Sequence, residues 1–418
     1  MSLNLYSFVW SLMTVRSARS RLVLLGAGGS LALVSACSIQ KDDSGKTADN
    51  GSGQGSATQV SKSSAAKITS NVQRGARNVD LGRKVRLGVT AGTFSDVQVT
   101  GPDGAVVTGR LSADKTHWVS TAGLQQASRY RVVGSAVDNE GLKAGYESVF
   151  RTRKLTLDEQ TFPSFVPLQG QTVGVGMPAI IRFDVPITDK AAIEKHLSVV
   201  SSPAQPGSFH WISDSEVHWR PRTFWKPGTN VTIKADIGGV SAGNGIYGQK
   251  DRTTSFHVGR SLISKVNMDT DQMRVFQNGK LIRTIPITTG AQPKFTTRSG
   301  TKVIIEKFRH KRMNSETIGI DPDSADGYDL DDVEYAMRVT YSGEFVHAAP
   351  WSVGSQGNSN VSHGCTGMST SNAAWLYNRS IVGDVVQYTG TSRSMELTNG
   401  FGDWNAAFTS YRAGSALS

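Results

Sequence analysis

Between residues 72 and 259 apolar side chains recur at every second position in short runs, and turn formers punctuate those runs. Lys84-Val85-Arg86-Leu87-Gly88-Val89, Asp96-Val97-Gln98-Val99 and Tyr130-Arg131-Val132-Val133 are examples, and Gly101-Pro102-Asp103-Gly104 is one of the separators. Successive side chains of a strand point to opposite faces, so a period of two buries one face and wets the other. Strands of this length at this spacing are expected to pair into small two-sheet sandwiches rather than one extended sheet.

The pattern occurs twice. Residues 154–259 open with Ala179-Ile180-Ile181-Arg182-Phe183 and continue with Phe209-His210-Trp211, Val217-His218-Trp219 and Asn230-Val231-Thr232-Ile233. The first two His-containing runs are expected to pair across the turn near Asp214. The two halves also end alike, in Ser148-Val149-Phe150-Arg151-Thr152 and Thr254-Ser255-Phe256-His257-Val258. The reading is two tandem immunoglobulin-like modules, 72–153 and 154–259. His210 and His218 would each sit opposite the tryptophans, on solvated strand faces rather than on a metal.

Residues 260–390 stay strand-rich, so the fold class is mainly β. Met273 to Ile282 is a hairpin with Asn278-Gly279 at the turn. One helix is expected just after the second cysteine, capped by Ser369 or Ser371 and built on Ala373, Ala374, Trp375, Leu376 and Tyr377. Val382 to Val386 is a closing strand. Residues 391–418 form a small C-terminal piece whose Phe401, Trp404, Phe408 and Tyr411 should dock on the preceding domain. The apolar fraction of 38% is low until the 44 glycines are counted, and it then suffices for several cores. The net charge of +11 suits nucleic acid, an anionic membrane or an anionic polymer and selects none of them.

The chain has two cysteines, Cys37 and Cys365, which excludes a disulfide scaffold and a thiolate-rich metal site. Arg16, Arg19 and Arg21 precede an apolar run from Leu22 to Val34, followed by Ser35-Ala36-Cys37. A basic start, a short apolar run and a small-residue exit describe an export signal, and Met13 is a candidate start for it. Val34-Ser35-Ala36-Cys37 resembles a bacterial lipobox, with Cys37 the acylated residue; ordinary cleavage after Ala36 is the alternative. Residues 38–71 hold few large apolar side chains and are expected to form a flexible tether. The expected location is outside the membrane, lipid-anchored and facing the wall.

Cys365 then stands without a partner. It lies in Ser362-His363-Gly364-Cys365, downstream of His347-Ala348-Ala349-Pro350-Trp351. Only a thiolate is a strong nucleophile, and a nearby imidazole can take its proton. The glycine lets the backbone turn and expose its amides, and a following helix would aim its positive end at the sulfur. His363 and His347 are both candidates for the base. Spacing does not choose between them, and a buried structural cysteine is the bland alternative.

His347 and Ser362-His363-Gly364-Cys365 together resemble the signature of the L,D-transpeptidase catalytic domain, the YkuD fold. The stretch from His347 to Gly354, the tandem modules and Gly402-Asp403-Trp404-Asn405 resemble the actinobacterial, mycobacterial-type enzymes. The resemblance implies a catalytic domain over 260–390 and an acyl transfer without cofactor or metal. Cys365 would attack the carbonyl between the diamino acid and the terminal D-Ala of a tetrapeptide stem. An amine of a second stem would take the acyl group, giving a 3→3 cross-link. His347 would be general base and then general acid, its ring held by the carbonyl of Ala348. Gly364 and Cys365 amides would form an oxyanion hole, with Ser362 and His363 positioning the loop. Tyr328, Ser342, Gly343, Met313 and Trp351 would line the substrate cleft under a lid at 296–334. The partners implied are peptidoglycan stems and carbapenem β-lactams; nucleic acid is not expected, since no basic-aromatic strip appears.

The family usually carries Arg or Asn two residues after the cysteine; here that residue is Gly367, which puts a substrate contact in question. The lid is also unusual in charge. Lys307, Arg309, Lys311 and Arg312 precede an acidic run, Asp321, Asp323, Asp326, Asp329, Asp331, Asp332 and Glu334. The run does not fit a calcium loop, because Ala325 and Asp326 occupy positions that need a ligand and a glycine. Either it is a solvated loop or it meets the acceptor amine. Hydrolysis of the same stems and a non-catalytic wall-binding role are the alternatives to cross-linking.

Overall fold

The computed structural model describes residues 62–418; Cys37 and the segment around it lie outside the described residues. The first strand, Lys67–Ser70, falls inside the stretch that composition assigns to a tether. It pairs antiparallel with Arg86–Thr90, placing Ile68 opposite Val89. A single large apolar residue was too little signal for a strand that lies at a sheet edge.

The first module stacks the sheet of Lys67–Ser70, Arg86–Thr90, His117–Ser120 and Gly109–Leu111 on the sheet of Thr93–Thr100, Arg129–Val137 and Lys143–Arg151. Alternate residues Leu87, Val99, Tyr130, Val132 and Phe150 fill the space between them. Tyr130 and Phe150 stack with ring centroids 5.2 Å apart.

In the second module Gly207–Trp211 and Glu216–Pro221 pair as expected, with His210 directly opposite His218. The two histidines do share a face, but that face is not wet. His218 is 1% exposed, and its Nδ1 lies 2.9 Å from Asp403 and its Nε2 2.6 Å from Glu216. His210 stacks on Tyr411 at 4.8 Å. The cover comes from the C-terminal segment, which docks on the second module as well as on the domain it follows. Trp404 Nε1 donates to the Gly176 carbonyl at 2.7 Å, and the Arg220 guanidinium sits 4.9 Å from the Trp404 ring and 4.4 Å from that of Tyr411. Asn405 also reaches the last domain, accepting from the Thr301 amide at 2.7 Å and donating to its carbonyl at 2.8 Å. The segment therefore clasps both bodies.

The last domain has a five-stranded sheet and the four-stranded sheet of Glu306–Asn314, Asp329–Arg338, Phe345–Ala348 and Thr366–Met368. Asn278 and Gly279 both have positive φ, as the tight hairpin requires. Helix Thr370–Arg379 covers the core through Ala373 and Leu376. The domain abuts the second module backbone to backbone: the Gly176 amide donates to Gly383 at 2.9 Å, and a Cβ on Gly174 would come within 2.2 Å of the Asp384 nitrogen. Among the described residues no helix is long and apolar enough to cross a membrane.

Candidate active site

Strands Phe345–Ala348 and Thr366–Met368 run parallel, with His347 opposite Gly367. Cys365 immediately precedes the second strand, so the pairing brings residues 18 positions apart in sequence to one place. Both side chains open onto a cavity of about 300 Å³.

His347 is 5% exposed, and its Nδ1 lies 2.7 Å from the Ala348 carbonyl oxygen. A carbonyl only accepts, so Nδ1 carries the proton and Nε2 keeps a lone pair. Burial pushes the imidazole pKa down, which keeps the ring neutral and able to take a proton. Trp351 stacks against it at 5.9 Å. His363, the other candidate, is held between Phe295 at 4.2 Å and Tyr328 at 5.0 Å. Its Nε2 is buried with no partner among the described residues.

Cys365 is half-buried, and its thiol donates to the Gly343 carbonyl at 3.7 Å. Burial pushes its pKa up to about 11, against the pull of the Phe345 amide. The resting pair is thus thiol and neutral imidazole, and the proton must leave as the sulfur attacks.

The loop before the cysteine is tightly fixed. Gly364 has φ +122°, a region that favours glycine. Its amide donates to Ser362 Oγ at 3.1 Å, Ser362 Oγ donates to the Cys365 carbonyl at 2.6 Å, and Thr297 Oγ1 donates to the Gly364 carbonyl at 2.9 Å. Of the two amides expected to hold an oxyanion, that of Gly364 is already engaged. The Cys365 amide has no partner among the described residues. The helix does not begin just after Cys365: Thr366–Met368 is a strand, and the helix starts at Thr370 behind the Ser369 cap. Its dipole falls off within a turn and is not the main field on the sulfur.

Gly367 is explained by packing. A Cβ there would stand 2.9 Å from the Ala349 Cβ and 3.1 Å from Thr288 Cγ2. Met313, Tyr328, Trp351 and Gly367 line the cavity, while Ser342 and Gly343 do not. Ser342 is tied to Asn399, whose side chain accepts from its amide at 2.9 Å. Thr288, Leu330, Ser352 and Val361 also line the cavity, and no sequence signal marks them.

Behind the cysteine lies a buried charge cluster that sequence reasoning missed. Glu344 accepts from Lys302 and, at 3.1 Å, from Arg298. Lys302 is 0% exposed and sits 3.7 Å over the Tyr388 ring, whose hydroxyl is 2.8 Å from Thr366 Oγ1. The residue after the cysteine, Thr366, is therefore tied through Tyr388 to this cluster.

The segment with the acidic run is a twisted hairpin, Glu306–Asn314 against Asp329–Arg338. Its charges answer one another: Arg312 donates to Asp329 at 2.9 Å, Arg309 to Glu334 at 2.8 Å, and His310 Nδ1 is 2.8 Å from Asp332. Lys294 pairs with Asp326. Asp329, Asp331, Asp332, Glu334 and Asp326 thus have partners on this hairpin or beside it, while Asp321 and Asp323 make no ion pair among the described residues. Among the described residues no group of His, Cys, Asp and Glu could hold a metal.

Comparison with known proteins agrees with this geometry. Residues 76–241 match the bacterial Ig domain family, and residues 262–387 match the L,D-transpeptidase catalytic domain. The chain is 36% identical to L,D-transpeptidase 2 of Mycobacterium tuberculosis, a match covering 84% of this chain and 85% of that protein. It is 34% identical to L,D-transpeptidase 5 of the same organism, over 78% of this chain and 72% of that one. A solved L,D-transpeptidase in complex with imipenem is 37% identical, over 54% of this chain and 97% of the other, with a TM-score of 0.48. The two mycobacterial relatives, matched over most of their length, and the catalytic-domain match over residues 262–387 show that the chain belongs to the L,D-transpeptidase family.

Proposed function

We propose that this transpeptidase forms 3→3 cross-links in peptidoglycan through a thioester on Cys365. What supports the reading most is the fixed tautomer of His347, whose free Nε2 shares a cavity with the Cys365 thiol. In the first half-reaction the thiol adds to the carbonyl between the diamino acid and D-Ala while His347 takes its proton. The Cys365 amide stabilises the oxyanion. The C–N bond breaks, His347 returns the proton to the amine, and D-Ala leaves. In the second half-reaction a side-chain amine of another stem adds to the thioester. The C–S bond breaks, an amide forms, and the thiol is restored. Carbapenems acylate the same sulfur. Cys37 anchors the chain to the outer membrane face through an acyl group, and the stretch after it lets the folded body reach the wall.

Mass analysis of a disaccharide-tetrapeptide incubated with the protein tests the reaction. A cross-linked dimer with one released D-Ala is the expected product. Tripeptide alone would replace the reading with hydrolysis, and unchanged substrate would leave a non-catalytic wall protein.

A further inference from the structure

The first module carries a basic face that the acyl transfer does not use. Strands Arg129–Val137 and Lys143–Arg151 pair so that Arg129 stands directly opposite Arg151. Both project from the face away from the core, since their neighbours Tyr130 and Phe150 are buried. Like charges directly opposite one another repel and weaken a sheet. Further positive charge is brought alongside, against the single carboxylate of Glu147. The Gly75 amide donates to the Val149 carbonyl at 2.7 Å and the Arg151 amide to that of Ala76 at 2.8 Å, laying Arg74 and Arg77 along the same edge. Arg131 is paired with Glu147 at 2.8 Å. Among the described residues Arg74, Arg77, Arg129 and Arg151 make no ion pair.

These residues line two clefts that meet at Arg129, one of about 570 Å³ lined by Arg74, Arg77, Arg129 and Arg151 with the carboxylate of Glu147 among them, the other of about 440 Å³ lined by Arg129 and by Arg131, which Glu147 neutralises. We propose that this double cleft binds a linear anionic glycopolymer of the wall, one carrying a phosphodiester or carboxylate in each repeat. Guanidinium groups suit such anions because their planar forks bind two oxygens at once. The four arginines without a carboxylate partner, Arg74, Arg77, Arg129 and Arg151, are the contacts such a polymer would make. None of the exposed large apolar side chains lines either cleft, so nothing is offered for insertion among lipids. Nucleic acid finds no stacking platform, because Arg74 already covers the Tyr146 ring at 5.9 Å. Placing the polymer in the wall rests on the cross-linking reading; the anion site itself does not. Such a site would hold the enzyme on the polymer mesh while the last domain acts on stems.

The test is binding of fluorescent poly(glycerol phosphate) by the Cys365→Ala protein, so that the outcome is independent of catalysis. Vesicles of phosphatidylglycerol and phosphatidylcholine in equal parts and an oligothymidylate are the competing probes. The polymer should bind at low salt, with log K falling against log salt at a slope of about −3 for four contacts. Arg129→Gln with Arg151→Gln should weaken binding at least about tenfold and flatten the slope by about 1.4. Arg110→Gln, on the other sheet of the module, should change neither. Failure of the polymer to bind, equal binding by the double variant, or equal or tighter retention of the vesicles or the oligothymidylate would overturn the proposal.

Discussion

The buried His218 makes a quantitative prediction about how the C-terminal segment is held. Burial alone would lower its pKa from 6.5, but Asp403 and Glu216 on either side outweigh that and hold it at about 9. At about 1.4 kcal/mol per pH unit this difference is worth about 3 kcal/mol of folding free energy. The folded value is raised, so the contribution is complete below pH 6.5 and is lost as pH rises through 9. Tyr411, which donates to Asp403 at 2.8 Å, is pushed well above its ordinary value and does not titrate in that window. For the roughly 150–250 residues that unfold together around the clasp, 3 kcal/mol is about 6–12 °C in Tm. Scanning calorimetry from pH 6 to pH 9, below the range where the unfolded thiol and phenols are mostly ionised, should show most of that fall in the wild type. His218→Gln should start lower, because Asp403 is left buried without a cation, at about 3–5 kcal/mol, and should be nearly flat across the window. If the variant and the wild type lose stability in parallel, His218 is not the group responsible and the account of the clasp is wrong.

Three further outcomes are expected. Alkylation of Cys365 by iodoacetamide should be slow at neutral pH and keep rising toward pH 11, because burial holds the thiol protonated; a rate already at its plateau at pH 7 would mean a resting thiolate-imidazolium pair. Gly367→Asn should lower stability by about 1–3 kcal/mol through overpacking against Ala349 and Thr288, and should slow acylation by imipenem up to about a hundredfold if His347 is displaced by 1 Å; unchanged acylation and Tm would refute the packing explanation. Glu344→Gln should strand Lys302 in the interior, while Arg298 keeps Glu396, and cost about 3–5 kcal/mol in urea titrations, and a loss below about 1 kcal/mol would show that the cluster is not bearing on the fold.

What could be read from the sequence was what is local. The Asn278-Gly279 hairpin and the pairing of residues 209–211 with 216–221 follow from turn chemistry and alternation over a few residues. The position of Cys365 beside a histidine was also legible, but spacing did not choose His347 over His363; the family resemblance did. The choice itself depends on a parallel pairing and on Phe295 and Tyr328 closing over His363. The misplacements share this cause. Thr366–Met368 is extended because strand Phe345–Ala348 offers it hydrogen bonds, not because of its own residues. His218 looked solvated because its partner Asp403 lies 185 residues away. The acidic run looked unpaired because its basic partners lie on the other strand of the same hairpin, and only the register brings them opposite. Lys302 gave no sign of burial, since nothing in a sequence marks a lysine whose carboxylate and aromatic partners come from other strands.

The central claim is that Cys365 carries the acyl group with His347 as its base, and a donor that cannot also accept tests it most directly. A disaccharide-tetrapeptide whose side-chain amine is acetylated should acylate the protein and then stall. Intact-protein mass spectrometry should then show one adduct equal to the donor less D-Ala, absent in Cys365→Ala and slowed at least about a hundredfold in His347→Ala. An adduct that persists in Cys365→Ala, or forms at the wild-type rate in His347→Ala, would contradict the account.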